Sequence, residues 1–517
     1  MSLPAFLGRV HNAAGPLLGG IAESEFGDRL SGTTLLLEIG AEEAADPAQH
    51  AAYLLAANLG ARLYPRLALD APKDLQEKAA DLTRGINPLV EFGTPKGRTL
   101  TLSWCGGEPS VDRITVAAQG WTLELDGESP AGAAEAPAAM AAASLAIGEA
   151  FRSLFADLLD HGRNDATPFA VNLVTLGDPA EIPPLPNQVE LGDIHLAGCG
   201  AIGQAAAATF AELPVAGTLF ACDHETLDEG NLQRYLLSGA TDVGSPKPAL
   251  IQRALAAGEL KVEQVPSRWG EEVRTHPGRQ TVLAALDTKQ GRIELQANLP
   301  REIFNAWTQQ RDLGVSRHQS FGTEEPCLAC LYWPSRPRPS ESEQIADALG
   351  EHELRVIQYL LSRIPVGQPL GPDQLQGTVR LPIPEQAGDW LIRSLLDDLI
   401  DRYQLSRQSF QALAGLGIRG LYRDAICAGM LIEHGASRGD DVSVPLAHQS
   451  ALAGILLATA LVVDRVPELR EIRPAGTVAK YDVLRGGAQI WTRASGRNER
   501  CICFDGDYLK AYSQRWA

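Results

Sequence analysis

Ile194-His-Leu-Ala-Gly-Cys-Gly-Ala-Ile-Gly203, followed by Gln204-Ala-Ala-Ala-Ala-Thr-Phe-Ala-Glu-Leu213, is the stretch on which the reading of this chain depends. Ile194–Ala197 is a short apolar run that reads as a buried strand, Gly198–Gly203 is a turn, and Gln204–Leu213 carries the small and apolar residues of a helix packed on a sheet. A second apolar run, Thr218–Cys222, ends at Asp223. Together they make a βαβ unit. Glycines at such a turn let the backbone bend tightly and approach an anion, while the helix behind points free N–H groups and its positive end at the same place. Asp223, twenty positions beyond Gly203, stands where an acid reaches ribose hydroxyls. The pattern predicts a nucleotide-binding α/β domain.

Working outward, Asn231-Leu-Gln-Arg234 and Val243-Gly-Ser-Pro-Lys247 add two cations, and Gln280–Leu286 is a further buried-strand pattern that ends at Asp287. Ligands of doubly wound sheets gather at the carboxyl ends of strands, so Asp223 and Asp287 are expected to face one crevice. Upstream, Thr34–Ile39 is a strand candidate and Asp46–Ala61 a helix, the start of another α/β half. Its turn, Gly40-Ala-Glu-Glu43, offers one glycine and two acids where a phosphate cradle needs several glycines and no negative charge. Arg113–Leu125 alternates like strand, and Ala131–Asp160 becomes an amphipathic helix around Phe151, Leu154 and Leu158. The proline-bearing run 168–187 is the best linker, which puts the main boundary near Pro184. Two domains follow, 1–184 and 185–517, the second holding an inserted helical region at about 341–430.

The chain has 517 residues and a net charge of −19, an acidic balance with no Lys/Arg run, which argues against a nucleic-acid partner. Ala451–Val463 is the longest apolar run, too short to cross a bilayer, and reads as a buried helix, so no membrane partner is expected. Met1–Gly20 lacks the apolar core of a secretory signal. The eight cysteines do not form a secreted disulfide framework, and a reducing cytoplasm is expected.

Gly-x-Gly-x-x-Gly, Asp223-His-Glu225, Asn231-Leu-Gln-Arg234, Val243-Gly-Ser-Pro-Lys247 and Leu286-Asp287, in that order, resemble the adenylation domain of the ThiF/MoeB superfamily of ubiquitin-activating enzymes. The resemblance is close from Ile194 to Asp287 and loose beyond. It implies a Rossmann-like adenylation domain preceded by an inactive adenylation-like half, working together as a single-chain pseudo-dimer. It implies that Gly198, Gly200, Gly203 and Asp223 hold ATP, that Asn231, Arg234 and Lys247 contact its phosphates, and that Asp287 supports Mg2+. The residue types suit that chemistry: a carboxylate attacking the α-phosphorus brings two anions together, which Arg234 and Lys247 can neutralise. In dimeric relatives of this kind a partner arginine enters the ATP site, and Arg9 and Arg29 are the candidates here.

Cys327-x-x-Cys330 and Cys501-x-Cys503 offer four thiolates in two close pairs, which suits a structural Zn2+. Cys427 is the candidate nucleophile, since thiolates attack activated acyl groups at neutral pH, and one of the first cysteine pair is the alternative. Arg423, one helical turn earlier, would favour its thiolate. Ile426-Cys-Ala-Gly429 resembles a segment of bacterial activating proteins from antiviral conjugation operons, although the Pro-x-Cys-Thr pattern of the large eukaryotic enzymes is absent. The partners implied are a ubiquitin-like protein and a conjugating enzyme. Two other readings stay open: a sulfur-carrier-protein adenylyltransferase, sharing every adenylation residue, and an NAD-dependent oxidoreductase, sharing only the glycine turn and Asp223.

Overall fold

The computed structural model of the chain describes residues 6–516 apart from 16, 128–131, 160, 178–180, 276–279, 310–312, 320, 333–339, 354–355, 358–359, 361–391, 404–406, 408–409, 412–414, 416, 423–444, 475–477, 483–488 and 494–495. Contacts divide the chain into two units, Met1–Trp333 with Val444–Ala517, and Pro334–Ser443.

The first unit is built on two sheets. One comprises β1 (Thr33–Glu38), β2 (Arg66–Asp70), β3 (Glu91–Phe92), β4 (Arg98–Ser103), β5 (Arg113–Gln119), β6 (Thr122–Leu125) and β7 (Phe169–Asn172). The other comprises β8 (Val189–Ala197), β9 (Val215–Cys222), β10 (Glu259–Val265), β11 (Thr281–Ala284), β12 (Glu302–Thr308), β13 (Leu313–His318), β14 (Val478–Asp482) and β15 (Gln489–Arg493). Their spatial orders are β3-β2-β1-β4-β5-β6-β7 and β10-β9-β8-β11-β12-β13-β14-β15. In each, the first five strands across the sheet are parallel and the rest antiparallel. The two sheets therefore repeat one topology. In each, the chain steps twice to one side of its first strand and then crosses to the other, leaving a crevice beyond the carboxyl ends of β1/β4 and of β8/β11.

The sequence patterns map onto these elements with local shifts. Asp46 accepts hydrogen bonds from the N–H groups of Ala48 and Gln49 and so starts the helix Pro47–Ala61, with proline in its first turn. The alanine-rich stretch gives a helix over Ala136–Leu154, every residue of which is buried. The apolar run near the end gives the helix Ala447–Arg465, long and apolar enough to cross a membrane, yet all of it but Arg465 is buried. It packs on Ala201–Ala211 of one half and Ala136–Leu154 of the other, which explains an apolar surface all round.

The second unit has its own core, including Ile345, Leu349, Ile392, Leu399 and Phe410. Its helix Glu341–Leu349 opens on a Ser340/Glu343 capping box and closes on Gly350 at φ 70°. Cys427, Arg423 and His434 lie outside the described residues.

Candidate functional site

At the crevice of the second sheet, Ala197 is in register with Cys222 of β9 and Ala284 of β11, so Gly198 leaves β8 at the point where the chain's path diverges. Gly198 has φ 97°, and a Cβ there would meet the Ala285 carbonyl oxygen at 2.7 Å, so glycine is required twice over. Gly200 caps the helix, which runs over Ala201–Ala211 and starts three residues before the expected Gln204. The reason is local: only Gly198 needs left-handed backbone, and the Gln204 N–H already donates to the Gly200 carbonyl at 2.8 Å. Gly203 is thus a helical residue whose Cβ would sit 2.2 Å from the Gly198 oxygen. Asp223 accepts from the Cys199 N–H at 2.9 Å and the Glu225 N–H at 2.9 Å, so it fixes the turn itself.

Arg234 and Lys247 converge on Tyr235. The Arg234 guanidinium lies 5.6 Å and the Lys247 ammonium 5.3 Å from its ring centroid, both within cation–π range. A Cβ on Gly200 would meet the Tyr235 hydroxyl at 3.2 Å, which brings the ring to the glycine turn. Lys247, at the start of the helix Lys247–Leu255, is 4% exposed and donates to the Glu225 carboxylate. Burial pulls its pKa down, but Tyr235, Glu225 and Asp223 outweigh that and raise it, while the Lys247 hydrogen bond lowers the pKa of Glu225. Arg234 is pulled down by burial and by the nearby positive charge of Arg9, against the pull of Tyr235 and Asp287. Its Nη1 is buried and, among the described residues, has no hydrogen-bond partner, a donor left for an anion. Asn231 Oδ1 accepts from the Asp228 N–H at 3.1 Å and completes a capping box around Glu229–Gln233. Asp287 is exposed just beyond β11.

The two arginine candidates part company. Arg9, on the helix Leu7–Ala14, lies over Gly230, whose Cβ would come within 2.7 Å of its guanidinium, and approaches Asp228 at 4.0 Å. Arg29 instead binds Asp157 at 2.6 Å and Glu25 at 2.8 Å on the surface of the N-terminal half.

Cys327, Cys330, Cys501 and Cys503 form one buried group whose sulfurs all lie within 4.8 Å of one another. Cys327–Cys501, Cys330–Cys503 and Cys327–Cys330 are 3.5, 3.4 and 3.9 Å apart. Four sulfurs on a tetrahedral zinc would be about 3.8 Å apart, so the cluster has the size of that site. Cys199 and Cys222 are buried in the βαβ unit and serve packing.

The ThiF family model matches residues 186–503, from before β8 to the last cysteine of the cluster. The chain belongs to the ThiF family. A BilD N-terminal domain model matches residues 34–171, from β1 into β7. A curated relative, the uncharacterised protein y4jF of Sinorhizobium fredii (strain NBRC 101917 / NGR234), is 31% identical over 539 residues, covering 100% of this chain and 98% of the relative. Among solved structures, E. coli MccB with succinimide aligns at 13% identity over 61% of this chain and 66% of that one, TM-score 0.30. E. coli tRNA N6-threonylcarbamoyladenosine dehydratase, TcdA, aligns at 20% identity over 22% of this chain and 51% of that one, TM-score 0.20. This chain thus covers less than two thirds of either solved chain, and neither superposition bears on the architecture above.

Within the ThiF-family site, Tyr235 and Glu225 were not singled out as contacts by the sequence. Tyr235 adjoins Arg234 and Glu225 lies two residues past Asp223, so the motif itself held that signal. Arg9 was one of the two N-terminal arginines, with Arg29, between which the sequence did not decide.

Proposed function

We propose that this chain adenylates the C-terminal glycine of a ubiquitin-like protein. The observation that carries the reading is the pair of cations, Arg234 and Lys247, brought together on Tyr235 beside the Gly198 turn, with Arg234 Nη1 unpartnered among the described residues. Gly198, Gly200, Gly203 and Asp223 cradle ATP, Asn231, Arg234 and Lys247 meet its phosphates, and Asp287 would hold Mg2+, which supplies charge neutralisation on those phosphates. Arg9 makes the N-terminal half, residues 1–184, the in-chain counterpart of a partner subunit; residues 185–517 form the active half with its insertion at about 341–430.

The substrate carboxylate oxygen attacks the α-phosphorus, the bond to the bridging oxygen breaks, and pyrophosphate leaves. Cys427 then attacks the acyl carbon, AMP departs and a thioester forms, which a conjugating enzyme receives. Cys327, Cys330, Cys501 and Cys503 would hold Zn2+, which would tie the C-terminal segment to the domain. A cytoplasmic bacterial defence system is the setting this reading favours.

Pyrophosphate exchange into ATP, dependent on a ubiquitin-like protein, tests the first step, and a thiol-labile adduct lost in Cys427→Ala tests the second. Exchange without an adduct would favour a sulfur-carrier adenylyltransferase, and bound nicotinamide without exchange would overturn the reading.

A further inference from the structure

The segment 229–239 carries Asn231, Arg234 and Tyr235, and after the short turn Glu229–Gln233 it has no regular structure. Its carbonyls must find donors elsewhere. One side chain from the N-terminal half supplies three of them. Arg62 Nη1 donates to the Leu232 carbonyl, and Nη2 donates to Leu236 at 3.3 Å and Ser238 at 3.0 Å. Arg62 Nε donates to Asn58 Oδ1 at 2.8 Å, and Asn58 Nδ2 donates to the Leu236 carbonyl at 2.9 Å. Asn58 belongs to the helix Pro47–Ala61 and Arg62 ends it, in the half whose first turn, Gly40-Ala-Glu-Glu43, carries one glycine and two acids.

Arg62 is 1% exposed, and among the described residues it has no ion-pair partner. Burying an uncompensated guanidinium costs several kcal/mol, and an apolar residue of similar volume would fill the space at less cost. Burial brings its pKa down to about 9, so it stays charged at neutral pH. What only arginine offers here is a rigid fork of donors that engages three carbonyls of one segment at once.

We propose that Arg62, oriented by Asn58, is a positioning residue for the nucleotide site: it holds 229–239 in the shape that presents Arg234 to phosphate. Arg62 thereby completes the site from behind, without touching nucleotide. This rests on the adenylation reading, in which a displacement of Arg234 by about 1 Å costs on the order of 100-fold in rate.

The test is a double-mutant cycle in the full chain, reading kcat/KM for ATP in pyrophosphate exchange. Arg62→Met is expected to lower it about 100-fold, and to lower it by no more than about threefold once Arg234→Ala is present. Arg62→Lys, which keeps the charge but not the fork, should recover only part of the loss. Equal losses in both backgrounds would overturn the proposal. Asn58→Ala, less disruptive to folding, runs through the same cycle with an expected loss of about tenfold. Hydrogen exchange separates this proposal from the adenylation reading. Amides of 229–239 should exchange faster in Asn58→Ala and Arg62→Met while those of β8, β9 and β11 keep their protection. Unchanged exchange in that segment would overturn the clamp even in an active enzyme, whereas faster exchange in a chain without pyrophosphate exchange would overturn only the adenylation reading.

Discussion

Gly40 and Gly198 follow the first strands of two sheets that share one topology, and what surrounds them is opposite in kind. At Gly198 the backbone is left-handed, the helix N-terminus opens on a crevice, and two cations sit beside it. Gly40 has an ordinary extended conformation, a Cβ there would meet the end of the Glu43 side chain and, at 3.6 Å, the Cys105 sulfur, and Arg113 bridges the carboxyl ends of β1 and β4. That arginine binds Glu38 at 2.8 Å and the Ser103 hydroxyl at 2.9 Å. One fold thus serves twice. In one copy the switch point carries two cations; in the other an ion pair bridges the strand ends beside an acidic turn, and a helix of that half supports the first. Topology supplies the crevice, and a few side chains decide whether an anion can enter it.

The sharpest way to break this contrast is at the cations. Arg234→Ala or Lys247→Ala should reduce pyrophosphate exchange by about 100- to 1000-fold, because each removes a group placed against developing phosphate charge. Arg113→Ala, the arginine of the other crevice, should leave exchange unchanged; a comparable loss there would mean both crevices bind nucleotide.

The helix shared by the two halves gives the next test. His448 lies against Gly148 and Phe151 of the N-terminal half, and burial lowers its pKa to about 4. The folded pKa is below the unfolded one, so the unfolded chain binds the extra proton between them. The stability is present above about pH 6.5 and is lost as pH falls towards 4, by about 3 kcal/mol. Chemical denaturation across that range should show the slope, and His448→Phe should flatten it.

A smaller difference is expected at the glycines themselves. Gly198→Ala should cost about 1 to 2 kcal/mol through left-handed strain, and more if the Ala285 carbonyl cannot yield. Gly40→Ala should cost only a few tenths of that scale, because a flexible carboxylate can move aside. Equal thermal shifts would contradict the asymmetry.

The smallest effect belongs to Cys105, exposed beside Gly40. Burial of its sulfur and the charge of Glu43 raise its pKa, so alkylation should be slow at neutral pH and Cys105→Ser should leave exchange intact. Rapid labelling that also stops activity would give the N-terminal crevice a chemical role.

Much of this was legible because local sequence rules govern it. The glycine turn, the buried strands before Gly198 and Asp287, the Asp46 cap and the two cysteine pairs are all set by neighbours within a few residues. Helix starts were less so: Gly203 looked like turn and is helix, since a glycine is tolerated in either and only the close approach to Gly198 explains it. Arg62 carried no signal at all, because nothing near it in sequence indicates a buried fork.

By itself, then, the sequence determined the βαβ unit, the order of its cations and acids, and the contrast between a glycine cradle and an acidic turn. These depend on backbone geometry and charge at short range. The tertiary structure alone decided that Arg9 rather than Arg29 reaches the Gly230 turn, that Tyr235 gathers Arg234 and Lys247, and that Arg62 grips the segment from the other half. Those contacts join residues as far as 221 positions apart, Arg9 to Gly230. They follow from how two sheets and a shared helix pack, which no local pattern encodes.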